Sequence, residues 1–260
     1  MKQITSNQNE ALKHLSKLLS QAKARREFGQ TVLEGVHLLD AFLNAGGVPL
    51  HVFVPEGKWV QAEIQALLAR IDAERVSVVN HSALSKITSL TDAEDIMTLI
   101  AIPINYEAPK RDDCVVLERV QDPGNMGTIL RSAAASGVQQ LVLSTDCVDI
   151  WSPKVLRAGM GAHFLLKFSN RADLTRWYAA YQQPVWATAL SEINNHDLYQ
   201  LDLSAPCAWI FGNEGKGVSQ AMQKMSTGTV KIPMLGATES LNVAMAATVC
   251  LFEQMRQRLL

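Results

Sequence analysis

The stretch Leu117-Glu118-Arg119-Val120-Gln121-Asp122-Pro123-Gly124-Asn125-Met126-Gly127-Thr128-Ile129-Leu130-Arg131-Ser132-Ala133 runs an apolar strand through a Pro-Gly turn into an alanine-rich helix. The helix carries one arginine on its second turn. Side chains on a helix lean toward its N-terminus, so Arg131 is expected to point back over Gly127, where the absent side chain leaves room for a ligand. A helix N-terminus with exposed amides beside a positioned guanidinium suits a phosphate or a developing oxyanion.

Around this stretch, strands and helices alternate. Downstream the pattern predicts strands over 114–117, 140–144, 164–168, 185–190, 208–211 and 230–233, and helices over 125–136, 153–158, 172–181 and 239–259. Apolar strands alternating with helices imply an α/β fold whose mostly parallel sheet is covered on both faces. Upstream, helices are expected over 6–20, 36–44 and 59–71, and strands over 31–34, 51–54, 76–79 and 97–102. This makes a small α/β domain over 1–102. Residues 103–113, with two prolines and a charge cluster, read as a linker to a second domain over 114–260.

With 48% hydrophobic and 19% charged residues, the chain can build a core and is not disordered. The total charge of −1 announces no polyanionic partner. Its distribution does more, because residues 1–30 hold six basic against two acidic side chains, and residues 31–110 hold five against ten. The N-terminal arm, with Lys13, Lys23, Arg25 and Arg26, is the natural contact for a phosphate backbone. Cys114, Cys147, Cys207 and Cys250 form no C-x-x-C pair and sit in apolar surroundings, which fits reduced packing residues and no metal site. The first residues lack a signal-peptide core, and the apolar run 241–251 is too short to span a bilayer. A soluble, cytoplasmic protein with no membrane partner is expected.

Two further segments are expected at carboxyl ends of strands, where open α/β sheets bind ligands. Ile210-Phe211-Gly212-Asn213-Glu214-Gly215-Lys216-Gly217 fits neither G-x-G-x-x-G nor a Walker loop, but offers backbone that a flat ligand can approach. Ile232-Pro233-Met234-Leu235-Gly236-Ala237-Thr238-Glu239-Ser240-Leu241-Asn242-Val243 ends a strand and opens a helix, with Ser240 and Asn242 expected in its first turn. Either side chain could simply cap that helix.

Together the three segments resemble, in order, the motifs of the SpoU class of RNA ribose 2′-O-methyltransferases in the SPOUT superfamily: N-x-G-x-x-x-R-S-A, G-N-E-G-x-G and I-P-M-x-G-x-x-x-S-L-N-V. The first domain is similar to the L30e-like substrate-binding domain of many such enzymes, through Ser6-Asn7-Gln8-Asn9, Lys23-Ala24-Arg25-Arg26-Glu27-Phe28-Gly29 and Val32-Leu33-Glu34-Gly35. Asp95-Ile96-Met97 departs from the Pro-Gln-Gly turn of many relatives.

The resemblance implies methyl transfer from S-adenosylmethionine to a ribose 2′-hydroxyl in structured RNA, most naturally ribosomal, without a metal. A transfer RNA methyltransferase and a non-catalytic RNA-binding assembly factor are the alternatives. It further implies a C-terminal trefoil knot, with Gly212, Ile232, Met234 and Leu241 holding the cofactor through backbone groups. Asn125, Arg131, Glu214, Ser240 and Asn242 fall on the family's polar active-site positions. Arg131 is often assigned as base there, but a guanidinium deprotonates only above about pH 12, so a cation stabilising alkoxide charge is the better role. SpoU relatives are homodimers, and the spacing of Leu241, Met245, Thr248, Val249, Phe252 and Met255 on the last helix suits such an interface.

Overall fold

The computed structural model describes residues 2–6, 8–84, 87, 95–190 and 195–259. Asn7 of the N-terminal motif lies outside them. The chain divides into two compact units, residues 1–103 with 149–164, and residues 104–148 with 165–260.

The first unit contains β1 (Lys2–Ile4), α1 (Glu10–Ser20), α2 (Ala22–Phe28), β2 (Gln30–Glu34), α3 (Val36–Asn44), β3 (His51–Pro55), α4 (Ala62–Leu68), β4 (Val76–Val79), α5 (His81–Leu84) and β5 (Met97–Ala101). Its sheet order is β1-β4-β3-β5-β2, parallel except where β5 pairs with β3 and β2. α1 starts at Glu10, later than expected, because Asn9 has extended backbone and its side chain caps the amide of Ala11 at 2.9 Å. Leu12, Leu15 and Leu18 are fully buried on one side of it, at helical spacing.

The segment 149–164, expected within the C-terminal domain, clusters with this first unit. Its helix α7 (Pro153–Gly159) brings Arg157 into an ion pair with the buried Glu34 of β2. Asp149 takes the Nε of Arg25 at 2.8 Å, and the carbonyl of Trp151 accepts from Thr31 at 2.8 Å. Residues 164–165, expected to begin a strand, belong instead to a 3₁₀ turn over Ala162–Leu165. Within that turn the ring of His163 meets the carbonyl of Ile150 at 2.9 Å in the interior, where burial pulls its imidazole down to about 4.

The second unit is the parallel α/β sheet. Its strands are β6 (Cys114–Leu117), β7 (Gln140–Ser144), β8 (Lys167–Ala172), β9 (Val185–Thr188), β10 (Asn195–Asp197), β11 (Ala208–Phe211) and β12 (Gly228–Lys231). They are ordered β10-β12-β9-β11-β6-β7-β8, and every recorded pairing is parallel. The helices are α6 (Pro123–Ser136), α8 (Leu174–Ala180), α9 (Gln220–Met225) and α10 (Val243–Arg258). The 104–113 segment has no regular structure, yet it is pinned to β8: the Tyr106 amide donates to the Phe168 carbonyl at 2.8 Å, and Ser169 donates back to the Tyr106 carbonyl at 3.0 Å.

α10 packs on α6 through small residues, with Ala133 and Ala247 buried and the hydroxyls of Ser132 and Thr248 2.7 Å apart. Its far end is fixed at the amino edge of the sheet. There Asp113 accepts from Gln254 at 2.8 Å and pairs with Arg258, while Gln254 takes the indole of the buried Trp209 at 2.6 Å.

Arg25 distinguishes a structural cation from its exposed neighbour Arg26. Breaking a buried ion pair from one side leaves the partner uncompensated, so Arg25→Ala is expected to cost about 3 kcal/mol in urea unfolding. Arg26→Ala, on the exposed face, is expected to shift the same curve by less than about 0.5 kcal/mol.

Candidate active site

β6 and β11 are neighbours, but the chain leaves β6 toward β7 on one side and reaches β9 and β11 on the other. Strand order reverses between them, and loops diverging from such a pair open a crevice at the carboxyl ends. The loops 118–122 and 212–217 flank that crevice, and one carboxylate joins them. Glu214 accepts the amides of Asp122 at 2.9 Å and Gln121 at 3.2 Å, the side-chain amide of Asn125 at 3.3 Å and that of Asn213 at 3.2 Å. Burial pushes the Glu214 carboxyl upward, but hydrogen bonds from the Asp122 amide, its own amide, Asn125 and Gln121 outweigh this and hold it below its ordinary value of 4.5.

Asn213, which sequence reasoning passed over, builds the loop that presents Glu214. Its Oδ1 accepts the amides of Gly215 and Lys216 at 3.1 Å each, and its Nδ2 donates to the Arg119 carbonyl at 2.9 Å. Asparagine's habit of turning its own backbone was the available signal. The loop closes through paired bonds between Asn213 and Gly217, 2.8 and 3.1 Å long. Gly212 has no alternative here, since a Cβ on it would lie 2.1 Å from the backbone of Gly217 and Val218.

Two expectations are corrected. The N-terminus of α6 is only partly open to a ligand: Asp122 caps the amide of Asn125 at 2.8 Å, and Glu214 takes the preceding amides of Gln121 and Asp122, while Gly124 between them is exposed. The last helix begins at Val243, not Glu239, because Asn242 has extended backbone and its Oδ1 accepts the amides of Ala244 and Met245 at 2.9 and 3.4 Å. Asn242 is therefore the cap, and Ser240 stands exposed in the preceding loop.

Asn242 does more than cap. Its Nδ2 donates to Asn125 Oδ1 at 2.9 Å, so Glu214 of the 212–217 loop, Asn125 of α6 and Asn242 at the start of α10 form one hydrogen-bonded chain. Beside it lies a cavity of about 350 Å³, into which Glu214, Ser240 and all four residues expected to bind the cofactor (Gly212, Ile232, Met234 and Leu241) project. Leu190, Val218, Val230 and Val243 add apolar wall, and Lys216 and Lys231 stand at its rim. Arg131 is exposed on α6 and, among the described residues, neither lines this cavity nor joins the hydrogen-bonded chain.

In the first unit, Lys23 and Arg26 are exposed, and Lys13 is exposed while paired with Glu10 at 2.9 Å. Arg25 is not available as an RNA contact. Only 4% of it is exposed, and its guanidinium is taken by Asp149 and the carbonyls of Leu18 and Leu19.

The SpoU rRNA Methylase family profile matches residues 113–252, which contain this whole site. A protein of Synechocystis sp. named as an uncharacterised tRNA/rRNA methyltransferase is 37% identical, covering 98% of this chain and 94% of its own length. The 23S rRNA (guanosine(2553)-2′-O)-methyltransferase RlmP of Bacillus subtilis is 29% identical over 97% of this chain and 98% of its own. The crystal structure of an AdoMet-bound rRNA methyltransferase from Sinorhizobium meliloti superposes with a TM-score of 0.84 at 29% identity, covering 98% of this chain and 97% of that one. The chain belongs to the SpoU family of RNA methyltransferases.

Gly212→Ala is expected to lower the unfolding midpoint, at a cost of about 1–3 kcal/mol or more, as its methyl group displaces the 217–218 backbone. Glu214 supplies a pH test. A carboxyl with a lowered folded value stabilises the fold above its unfolded value, and the contribution is lost as pH falls through the folded one. Wild type is therefore expected to unfold at higher urea than Glu214→Gln at pH 6–7, with the two curves converging below about pH 4.

Proposed function

We propose that this chain transfers the methyl group of S-adenosylmethionine to a ribose 2′-hydroxyl of ribosomal RNA. The observation that carries the reading is the Glu214–Asn125–Asn242 chain standing at the edge of a cavity of about 350 Å³. The residues present fit the cofactor. The volume lies within the range of small-molecule sites, the walls are apolar enough for a purine and a thioether, and the glycine loop leaves backbone groups accessible. Gly212, Ile232, Met234 and Leu241 would hold it. When bound, the cofactor supplies an activated methyl group on a positively charged sulfur, and the ionised Glu214 lining the same cavity complements that charge.

Around it, Asn125 and Asn242 fix the geometry of the loops, and orientation of this kind accounts for much of the rate in a direct transfer. The Arg131 guanidinium serves the developing alkoxide and adjoining phosphate. Ser240, exposed at the cavity, is placed to hydrogen-bond the substrate. The first unit is read as an L30e-like RNA-binding module contacting RNA through Lys13, Lys23 and Arg26. A C-terminal trefoil knot belongs to this reading through the motifs that the chain shares with the family. The exposed Met245 and Phe252 on α10, with Leu241 exposed just before the helix, support a homodimer. Four unpaired cysteines suit a reducing cytoplasm, and among the described residues no helix is long and apolar enough to cross a membrane.

Ribosomal RNA from cells lacking the protein is expected to gain a 2′-O-methyl group at a defined nucleotide when incubated with it and S-adenosylmethionine, as read by methylation mapping. Arg131→Ala is expected to lose about 100-fold in kcat/KM while binding the cofactor as wild type does. Absence of any methylated nucleotide in ribosomal RNA, or full activity in that variant, overturns the respective claim.

A further inference from the structure

Among the described residues, three that are not glycine have left-handed backbone: Arg119 at φ 58°, Met160 at 47° and Arg171 at 60°. Such backbone is disfavoured for any residue with a side chain, persists only where its surroundings over-determine it, and collects at functional sites. Both outliers of the second unit are arginines, and both lie toward the carboxyl edge of the sheet, which also carries the crevice. Arg119 follows β6 and Arg171 is the penultimate residue of β8, with β7 between. The Arg119 amide donates to Ser144 Oγ at 3.0 Å, and Arg171 Nη1 reaches the Thr145 carbonyl at 3.4 Å, so the two flank a single strand end. Asn213, from the loop that presents Glu214, holds the Arg119 carbonyl at 2.9 Å.

A register shift between β7 and β8 accompanies Arg171. Nothing of the kind accounts for Arg119. Its guanidinium is only loosely engaged by the fold, because the buried Nε has no hydrogen-bond partner among the described residues. Its nearest carboxylate oxygen, on Glu118, is 3.7 Å away and already accepts the Ser219 amide at 2.7 Å. Structural arginines in this chain are used differently: Arg25 and Arg258 drive their forks into carboxylates and carbonyls. Neither Arg119 nor Arg171 lines the cavity beside Glu214. A forked cation held in strained backbone, short of acceptors and outside the cofactor cavity, matches the planar geometry of a phosphodiester.

We propose that Arg119, with Arg171 beside it, binds a phosphodiester of the RNA strand that carries the target ribose. This rests on the RNA methyltransferase reading above and adds to it the group that sets the register of the strand, since phosphate contacts position without reading sequence.

Glycine adopts a φ near 58° without strain, so Arg119→Gly removes the guanidinium while keeping or raising the thermal midpoint. Binding to unmodified ribosomal RNA is measured by filter retention across a potassium chloride series, alongside S-adenosylmethionine titration and steady-state methylation. The expected result is a salt slope shallower by about one, a KM for RNA raised about tenfold, and unchanged cofactor affinity. Arg119→Lys is expected to restore the slope and only part of the KM. A wild-type slope and KM in Arg119→Gly overturns the proposal even if methylation proceeds. The shallower slope in a protein that methylates no ribosomal RNA upholds the phosphate contact and overturns the assigned reaction instead.

Discussion

The second unit depends on one carboxylate. The β6–β11 ladder ends with the Glu118 amide on the Phe211 carbonyl at 2.9 Å, and beyond it the diverging loops are joined through side chains. Glu214 joins them by accepting from two backbone amides and an asparagine across the gap, and from Asn213 within its own loop. Charge-assisted bonds of this kind are about twice as strong as neutral ones. The cost of partial burial is outweighed, which is why the carboxyl titrates below its ordinary value. A group held ionised in this way is poorly suited to receive a proton and well suited to fixing geometry.

What Glu214 does for the loops, two other devices do for the elements behind them. Gly212 lets the 217–218 backbone approach within a distance that no side chain would permit, so the loop folds flat and its amides stay near the cavity. Alanines and paired hydroxyls let α10 lie close on α6, bringing Asn242 within 2.9 Å of Asn125. Asp113, Gln254 and Arg258 tie the other end of α10 at the opposite edge of the sheet. The helix is thus fixed at both ends, and its cap serves as part of the site.

Strands with short apolar runs bounded by turn residues were legible, and 76–79, 114–117, 140–144 and 208–211 match the structure residue for residue, whereas the short edge strands β1 and β10 were not expected and β8 begins later than expected. Element ends defined by side-chain caps were not, as Asn9 and Asn242 illustrate, since a polar residue before a helix can equally extend it. Long-range ionic contacts were invisible. Nothing near Arg25 in the sequence indicates Asp149, so a buried structural cation was read as part of a basic arm, and 149–164 as part of the later domain. The four cavity residues were legible through the resemblance, whereas the bonds from the Gln121 and Asp122 amides to Glu214 were not, because that carboxylate comes from a distant loop.

The ionic groups around the crevice divide by sign. Glu214 and Asp122 are satisfied by the protein's own amides, and the buried Glu118 holds the amide of Ser219. Arg131 lies outside that network on the exposed face of α6, and Arg119 has an Nε that meets no acceptor among the described residues. Satisfied anions build the scaffold, while cations short of acceptors project from it. A chain of net charge −1 can therefore present local positive potential to a polyanion without a basic composition. Charge counting misses such a surface because the acidic residues that balance the total are partly occupied with backbone amides.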